Sequence, residues 1–361
     1  MAHWTSFARP LLDEPQAQTH CLDEFPGLHR RQKFLKRLMR VYSSVLQAET
    51  AAKERPPDLI RSRLVGYFVL YAPDLKALMA IVNELRSLQR DAADPESFND
   101  ACYRLGDEIL DKFVRPFRGQ RCDRDTDSSE VLEAWGDDEE EEEVPPSCLA
   151  ELVEQSGRHL ASARLAGVLR ERYRCPVTGS FDLDSMQDST VLKYLESHPD
   201  ASVTSMCVHH IIPDLETDLA GWDVHFDNGP MSNEDHWRFW ERFGHPELRE
   251  ELAGRLHRVE NVIMLDRYIC QMVDELRLCF KPVHGKVHAF DLVLFGPNAD
   301  KYKRFLRLPD QKSMFNTSVD IPKPDLKYLR ILATCCFVAN LSGAIEYKHY
   351  ITFNSRLVEL S

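Results

Sequence analysis

Between Asp123 and Glu143 the chain carries twelve acids against a single base, Arg124, a local charge of −11 in a protein whose net charge is −13. Such a stretch cannot bury enough apolar surface to offset the entropy of ordering it, so no single core can run through it. It predicts a disordered acidic linker over 121–147, ending at Pro145-Pro146, with a helical N-terminal domain over 1–120 before it and a second folded part over 148–361 after it. The rest of the chain is nearly neutral at −2, so the acidic total does not exclude a polyanionic partner. The run reads as a solvated spacer.

With 361 residues and 43% hydrophobic content, the chain can bury more than one core. No apolar run approaches the ~20 residues needed to span a bilayer, and the opening MAHWTSFARPLLDEP lacks the basic-then-apolar order of a secretory signal. These features predict an intracellular address, nuclear or cytoplasmic, with no membrane partner. Ten cysteines occur without any C-x-x-C pair, which argues against a disulfide framework and a zinc ribbon and predicts mostly reduced, buried thiols. The missing Pro-Cys-x-x-Cys also excludes a zinc deaminase.

Before the acidic run, apolar residues recur at helical spacing: Phe34, Leu35, Leu38, Met39, Tyr42, Val45 and Leu46, then Leu75, Leu78, Met79, Ile81, Val82 and Leu85. A small helical domain follows. The bases from Arg30 to Arg40 flank its first stripe and read as a solvated face.

Beyond the run, a helix is expected from Cys148 up to Tyr173-Arg174-Cys175-Pro-Val-Thr178-Gly179. The segment Ser205-Met-Cys-Val-His-His-Ile-Ile-Pro213 is β-rich, short and stopped by proline, so neighbouring side chains point to opposite faces and His209 and His210 do different jobs. Further on, a short apolar strand after Asn261 gives way to a helix on which Cys270 and Asp274, four residues apart, share one face. That spacing suits chelation, although a buried thiol beside a carboxylate is the commoner use of such a pair. The pattern predicts an α+β chain whose second half contains a ββα unit.

In these motifs, Tyr-Arg-Cys-x-x-Thr-Gly and His-Ile-Ile-Pro, the region from about Arg172 to Val283 resembles the His-Asn-His (HNH) endonucleases, in their fungal-type variety. Leu329 to Ala344, with Ser342-Gly343-Ala344, is similar to that family's closing helix. The resemblance implies a ββα-metal module with helical insertions. It also implies a metal-dependent nuclease that hydrolyses phosphodiester bonds, with His210 as general base, His209 as metal ligand and Asn261 tying the loop that orients the base. The family's final histidine falls nine residues after the asparagine, and here that position is Cys270. A thiolate favours Zn²⁺, whereas Mg²⁺ and Mn²⁺ prefer harder donors, so Asp274 is the expected oxygen ligand with Cys270 optional. One divalent ion is implied, Mg²⁺ or Mn²⁺ by resemblance and Zn²⁺ by virtue of Cys270. The alternative is a catalytically inactive descendant kept as a binding or scaffolding module.

Between the two halves of the unit, Ser232 to Phe243 opens with a helix cap and places Trp237, Trp240 and Phe243 at helical spacing, which reads as a packing lid with its rings inward. His225, His236 and His245 read as packing or surface histidines. Lys301, Lys303, Arg304 and Arg307 form the basic cluster best placed to meet a phosphate backbone. The expected partner is therefore nucleic acid, with DNA favoured, and the acidic run would oppose that contact. Nothing in 1–120 names a protein partner.

Overall fold

A computed structural model describes residues 8–118, 146–213, 233–283, 285–286, 288–315 and 319–346. The acidic run, His225 and the helix cap expected at Ser232 lie outside the described residues. Helices α1 (Glu14–Glu24), α2 (Gln32–Ala51), α3 (Pro56–Leu70), α4 (Leu75–Asp91) and α5 (Pro95–Ile109) come first. Next are α6 (Pro146–Ser156), α7 (Leu160–Arg170), β1 (Phe181–Asp182), α8 (Ser189–Ser197), β2 (Val203–Thr204), β3 (Met206–His210), α9 (Asn233–Arg242) and α10 (Glu247–Leu252). The chain continues through β4 (Val262–Asp266), α11 (Arg267–Asp274), β5 (Leu278–Pro282), β6 (Ala289–Leu294), α12 (Ala299–Phe305), β7 (Gln311–Ser313) and α13 (Leu326–Ser342). This is a mixed α+β fold with small open sheets: β1 with β2 in parallel, β3 with β4 antiparallel, and an antiparallel β5-β6-β7 sheet. No helix among the described residues is long and apolar enough to cross a membrane.

Two compact units emerge, one joining residues 1–118, 215–248 and 333–361, the other joining 119–214 and 249–332. In the first, α4 is capped by Asp74, which accepts from Ala77 N at 2.9 Å, and α5 opens with a capping box between Asp94 and Ser97. Helix α3 is buried almost all round, through Ile60, Leu64, Val65, Tyr67, Phe68, Val69 and Leu70, so it is the core of its unit. Gly106 of α5 makes this packing possible, because a Cβ there would sit 2.4 Å from the Arg61 carbonyl oxygen of α3. The rings of α9 belong to this same core. Phe243 meets Phe68 at 5.3 Å between centroids and Trp240 meets Phe113 at 5.2 Å, both edge-on. Trp240 and Phe243 face inward as expected, and Phe68 and Phe113 offer an aromatic surface on which they and Phe239 become buried, each contributing about 1.5–3 kcal/mol, whereas Trp237 is only half-buried.

In the second unit the single helix expected from Cys148 is two, α6 and α7, broken at Gly157–His159, where Ser156 Oγ turns back to Val153 O at 2.6 Å and a glycine follows. Helix α7 is the brace of the β3–β4 pair. Its Gly167 lets Met264 of β4 approach, since a Cβ there would lie 2.8 Å from Met264 Cγ. Two buried arginines of α7 grip the strands. Arg164 donates to Met206 O at 2.9 Å and to Asp182 at 3.0 Å, while Arg170 donates to Val259 O and Val262 O, both at 2.7 Å, with Glu171 at 2.9 Å. Desolvating a guanidinium costs several kcal/mol unless such partners surround it, so each is over-determined by acceptors on β3, β4 or their approaches.

Candidate metal centre

Strands β3 and β4 pair in a register that sets His209 opposite Ile263 and His210 opposite Val262. Helix α11 leaves β4 directly, its start fixed by Asp266, whose carboxylate accepts from Tyr268 N at 2.8 Å and Ile269 N at 3.4 Å. An antiparallel strand pair whose second strand runs at once into a helix brings one face of α11 against β3. At that corner His209, Cys270 and Asp274 gather, all three buried, with one ligand atom from each within 4.8 Å of the others.

Within the cluster, His209 Nδ1 lies 3.0 Å from Asp274 Oδ1, and Cys270 Sγ donates to Asp274 Oδ2 at 3.8 Å. Among the described residues His209 Nε2 is buried without a hydrogen-bond partner, as His245 Nε2 is too, but only His209 has both a thiol and a carboxylate gathered beside it as ligand residues. An orphaned ring nitrogen in a buried site is uncommon and calls for a partner such as an ion. The donor chemistry fits a divalent cation. Two ligands each about 2.1 Å from one ion at a right angle lie about 3 Å apart, and a sulfur and an oxygen on a tetrahedral ion lie somewhat under 4 Å apart. A cation held by all three residues would exchange the Nδ1 hydrogen bond for ligand bonds to His209 and Asp274, whereas one on Nε2 would leave Asp274 orienting the ring from Nδ1.

His210 turns elsewhere, as the alternation of strand side chains requires. Its Nε2 lies 2.8 Å from Nδ1 of His257, with ring centroids 5.0 Å apart. One imidazole of the pair donates and the other accepts. Burial first, then His257 and His209, push the His210 pKa down to about 3, well below the ordinary value near 6.5, so the ring is neutral.

Asn261 closes the three-residue 3₁₀ turn Val259–Asn261 and is fully buried. Its Oδ1 accepts from Ile212 N at 2.8 Å, and its Nδ2 donates to Ile212 O and Leu256 O, both at 3.0 Å. Its backbone oxygen accepts from Ile211 N at 2.8 Å. These bonds pin the backbone just beyond His210 to the entry of β4, which fixes where the His210 ring can lie.

The basic residues sit on another element. Lys301 and Arg304 are exposed on α12, Lys303 pairs with Asp310, and Arg307 follows the helix at a left-handed φ of 52°. His257 was not singled out by sequence reasoning. Its only signal is its position four residues before Asn261, in the loop that Asn261 ties down. Nor was the pair Arg164 and Arg170, since a buried arginine leaves no periodic mark. Comparison with protein-family models, curated proteins and solved structures finds no match.

Proposed function

We propose that this protein is a metal-dependent nuclease of HNH type, hydrolysing phosphodiester bonds in nucleic acid at the corner between β3 and α11. The observation that carries the reading is the convergence of His209, Cys270 and Asp274 one residue away from a second imidazole, His210, that is neutral and placed on the other face of the strand. His209, Cys270 and Asp274 would hold a divalent ion, which would supply Lewis-acid charge stabilisation to the phosphodiester. His210 takes the proton of the attacking water. In this reading His210 Nε2–H donates to His257 Nδ1 at 2.8 Å throughout, so the proton arrives on His210 Nδ1 and the resulting imidazolium keeps an acceptor beside its positive charge. A phosphodiester anion next to His210 favours its charged form and opposes the burial that keeps it neutral beforehand. Asn261 takes no part in proton transfer; it holds the strand exit and therefore the ring.

A second reading has its own support: His209 is 2% exposed, Cys270 0% and Asp274 8%, a degree of burial that suits an ion with a purely structural role in an inactive scaffold. Plasmid nicking with Mg²⁺, Mn²⁺, Zn²⁺ and Ni²⁺ separates the two. The nuclease reading expects cleavage with at least one ion and a loss of about 10²–10⁴-fold in His210→Ala. Tight metal binding with no nicking, or equal nicking by wild type and His210→Ala under every ion, rejects it.

A further inference from the structure

The helix that carries Cys270 and Asp274 also presents an aromatic ring to solvent. Tyr268 is 40% exposed, two residues before Cys270, and its ring centroid lies 6.4 Å from that of Tyr302 on α12. The guanidinium of Arg277 caps Tyr302 at 5.0 Å from the ring centre. Three residues further along α12, on the same helical side, stands Phe305, which is 81% exposed, the highest value among the large exposed hydrophobic side chains of the described residues. Lys301 and Arg304 flank it, both exposed. Of the acids on this surface, Glu275 pairs with Arg277 and Asp310 with Lys303, while Asp300 is exposed on α12 beside Lys301.

A phenylalanine left this open at a helix end loses the stabilisation of burial, and Tyr302, three residues before it, reaches Tyr268 on the metal-site helix. We infer that Tyr268, Tyr302 and Phe305, with Lys301, Arg304 and Arg277 beside them, form a stacking platform for a single-stranded segment of nucleic acid leading to the His209–Cys270–Asp274 corner. The inference rests on the nuclease reading and names its substrate class. Charge selects a polyanion, since the cations neutralise phosphates and release their counterions. The rings select unpaired bases, because a duplex hides its base faces inside its own stack while a single strand exposes them to any flat aromatic surface. Arg277 over Tyr302 adds a cation to the ring system, an arrangement common where bases stack.

The test measures binding without cleavage. With EDTA present, fluorescence anisotropy of labelled oligothymidine follows wild type, Phe305→Ala, Phe305→Trp and Lys301→Gln/Arg304→Gln. Losing one stacked base weakens binding by about 5- to 100-fold in Phe305→Ala, tryptophan retains it, and the charge variant lowers the slope of affinity against salt. Binding of a blunt duplex changes little in Phe305→Ala. Phe305 is so exposed that its removal leaves the fold intact, which a thermal melt verifies. Equal oligothymidine affinity in wild type and Phe305→Ala overturns the platform. So does Phe305-dependent capture by phosphatidylserine vesicles without oligonucleotide binding. Hydrolysis of bis(p-nitrophenyl) phosphate, a diester without bases, reports on the metal centre alone. Its absence strikes the nuclease reading, whereas its persistence beside unchanged oligonucleotide binding strikes only the platform.

Discussion

Two histidines, buried to the same degree in different units, have opposite circumstances. His236 on α9 is 0% exposed and uses both ring nitrogens: the Trp240 indole N–H donates to Nε2 at 3.1 Å, which leaves Nδ1 to donate to Lys112 O at 3.1 Å. His209 on β3 is 2% exposed and, among the described residues, uses only one, with Nε2 orphaned and a thiol and a carboxylate close by. A core histidine with a closed set of partners is cemented in the neutral state; one with an open nitrogen and soft and hard donors around it is equipped to take a cation. The distinction lies in the partners, because burial is the same.

The sharpest way to break this comparison is to replace each ring by glutamine and add metal. At a free Zn²⁺ or Mn²⁺ concentration about a thousand times its dissociation constant, wild type should gain about 4 kcal/mol of stability, read as a shift of the urea midpoint. His236→Gln should keep that gain, offset to lower overall stability, and His209→Gln should lose it. If the ion stabilises all three proteins alike, it binds somewhere else.

How much of this was legible beforehand follows the range of the interactions. The four-residue spacing of Cys270 and Asp274, and the two faces of His209 and His210, are local periodicities that any helix or strand imposes. A mixed α+β chain with helices first was legible for the same reason. What local pattern does not encode is which distant surface an amphipathic stretch meets. Trp240 and Phe243 were recognisable as inward-facing, yet only the tertiary structure pairs them with Phe68 and Phe113, more than a hundred residues away. His257 beside His210, and Arg164 and Arg170 holding the strands, are likewise contacts between remote segments. The orphaned Nε2 is the extreme case, since the lack of a partner has no signature in sequence at all.

A smaller effect probes the other half of the comparison. Burial lowers the His236 pKa from 6.5 to about 4, against an opposing contribution from its bond to Lys112 O. Because the folded-state value is the lower one, stability is fully present above the unfolded value near 6.5 and drains away as pH falls towards 4. Protonation puts a hydrogen on Nε2, where the Trp240 N–H already points. The loss over that interval is about 3 kcal/mol. Urea midpoints measured at about pH 7 and about pH 4 should converge for His236→Gln relative to wild type by roughly that amount; a pH dependence unchanged by the substitution would show that His236 is not the group responsible.

The smallest expected effect concerns the sulfur. Cys270 Sγ donates to Asp274 Oδ2, so in the metal-free state the thiol proton serves the carboxylate, and an ion that takes both must displace that proton. A soft ion gains from the thiolate this creates, while a hard one gains little beyond what the oxygen and imidazole already give. Cys270→Ser keeps a donor of similar size facing Asp274 and removes only the softness. Zn²⁺ affinity should therefore fall by about tenfold or somewhat more, with Mn²⁺ affinity nearly unchanged, and competition titration against a chromogenic chelator resolves the two. A uniform loss for both ions would mean that Cys270 supports the corner by packing alone, leaving His209 and Asp274 as the whole of the protein's grip on the metal.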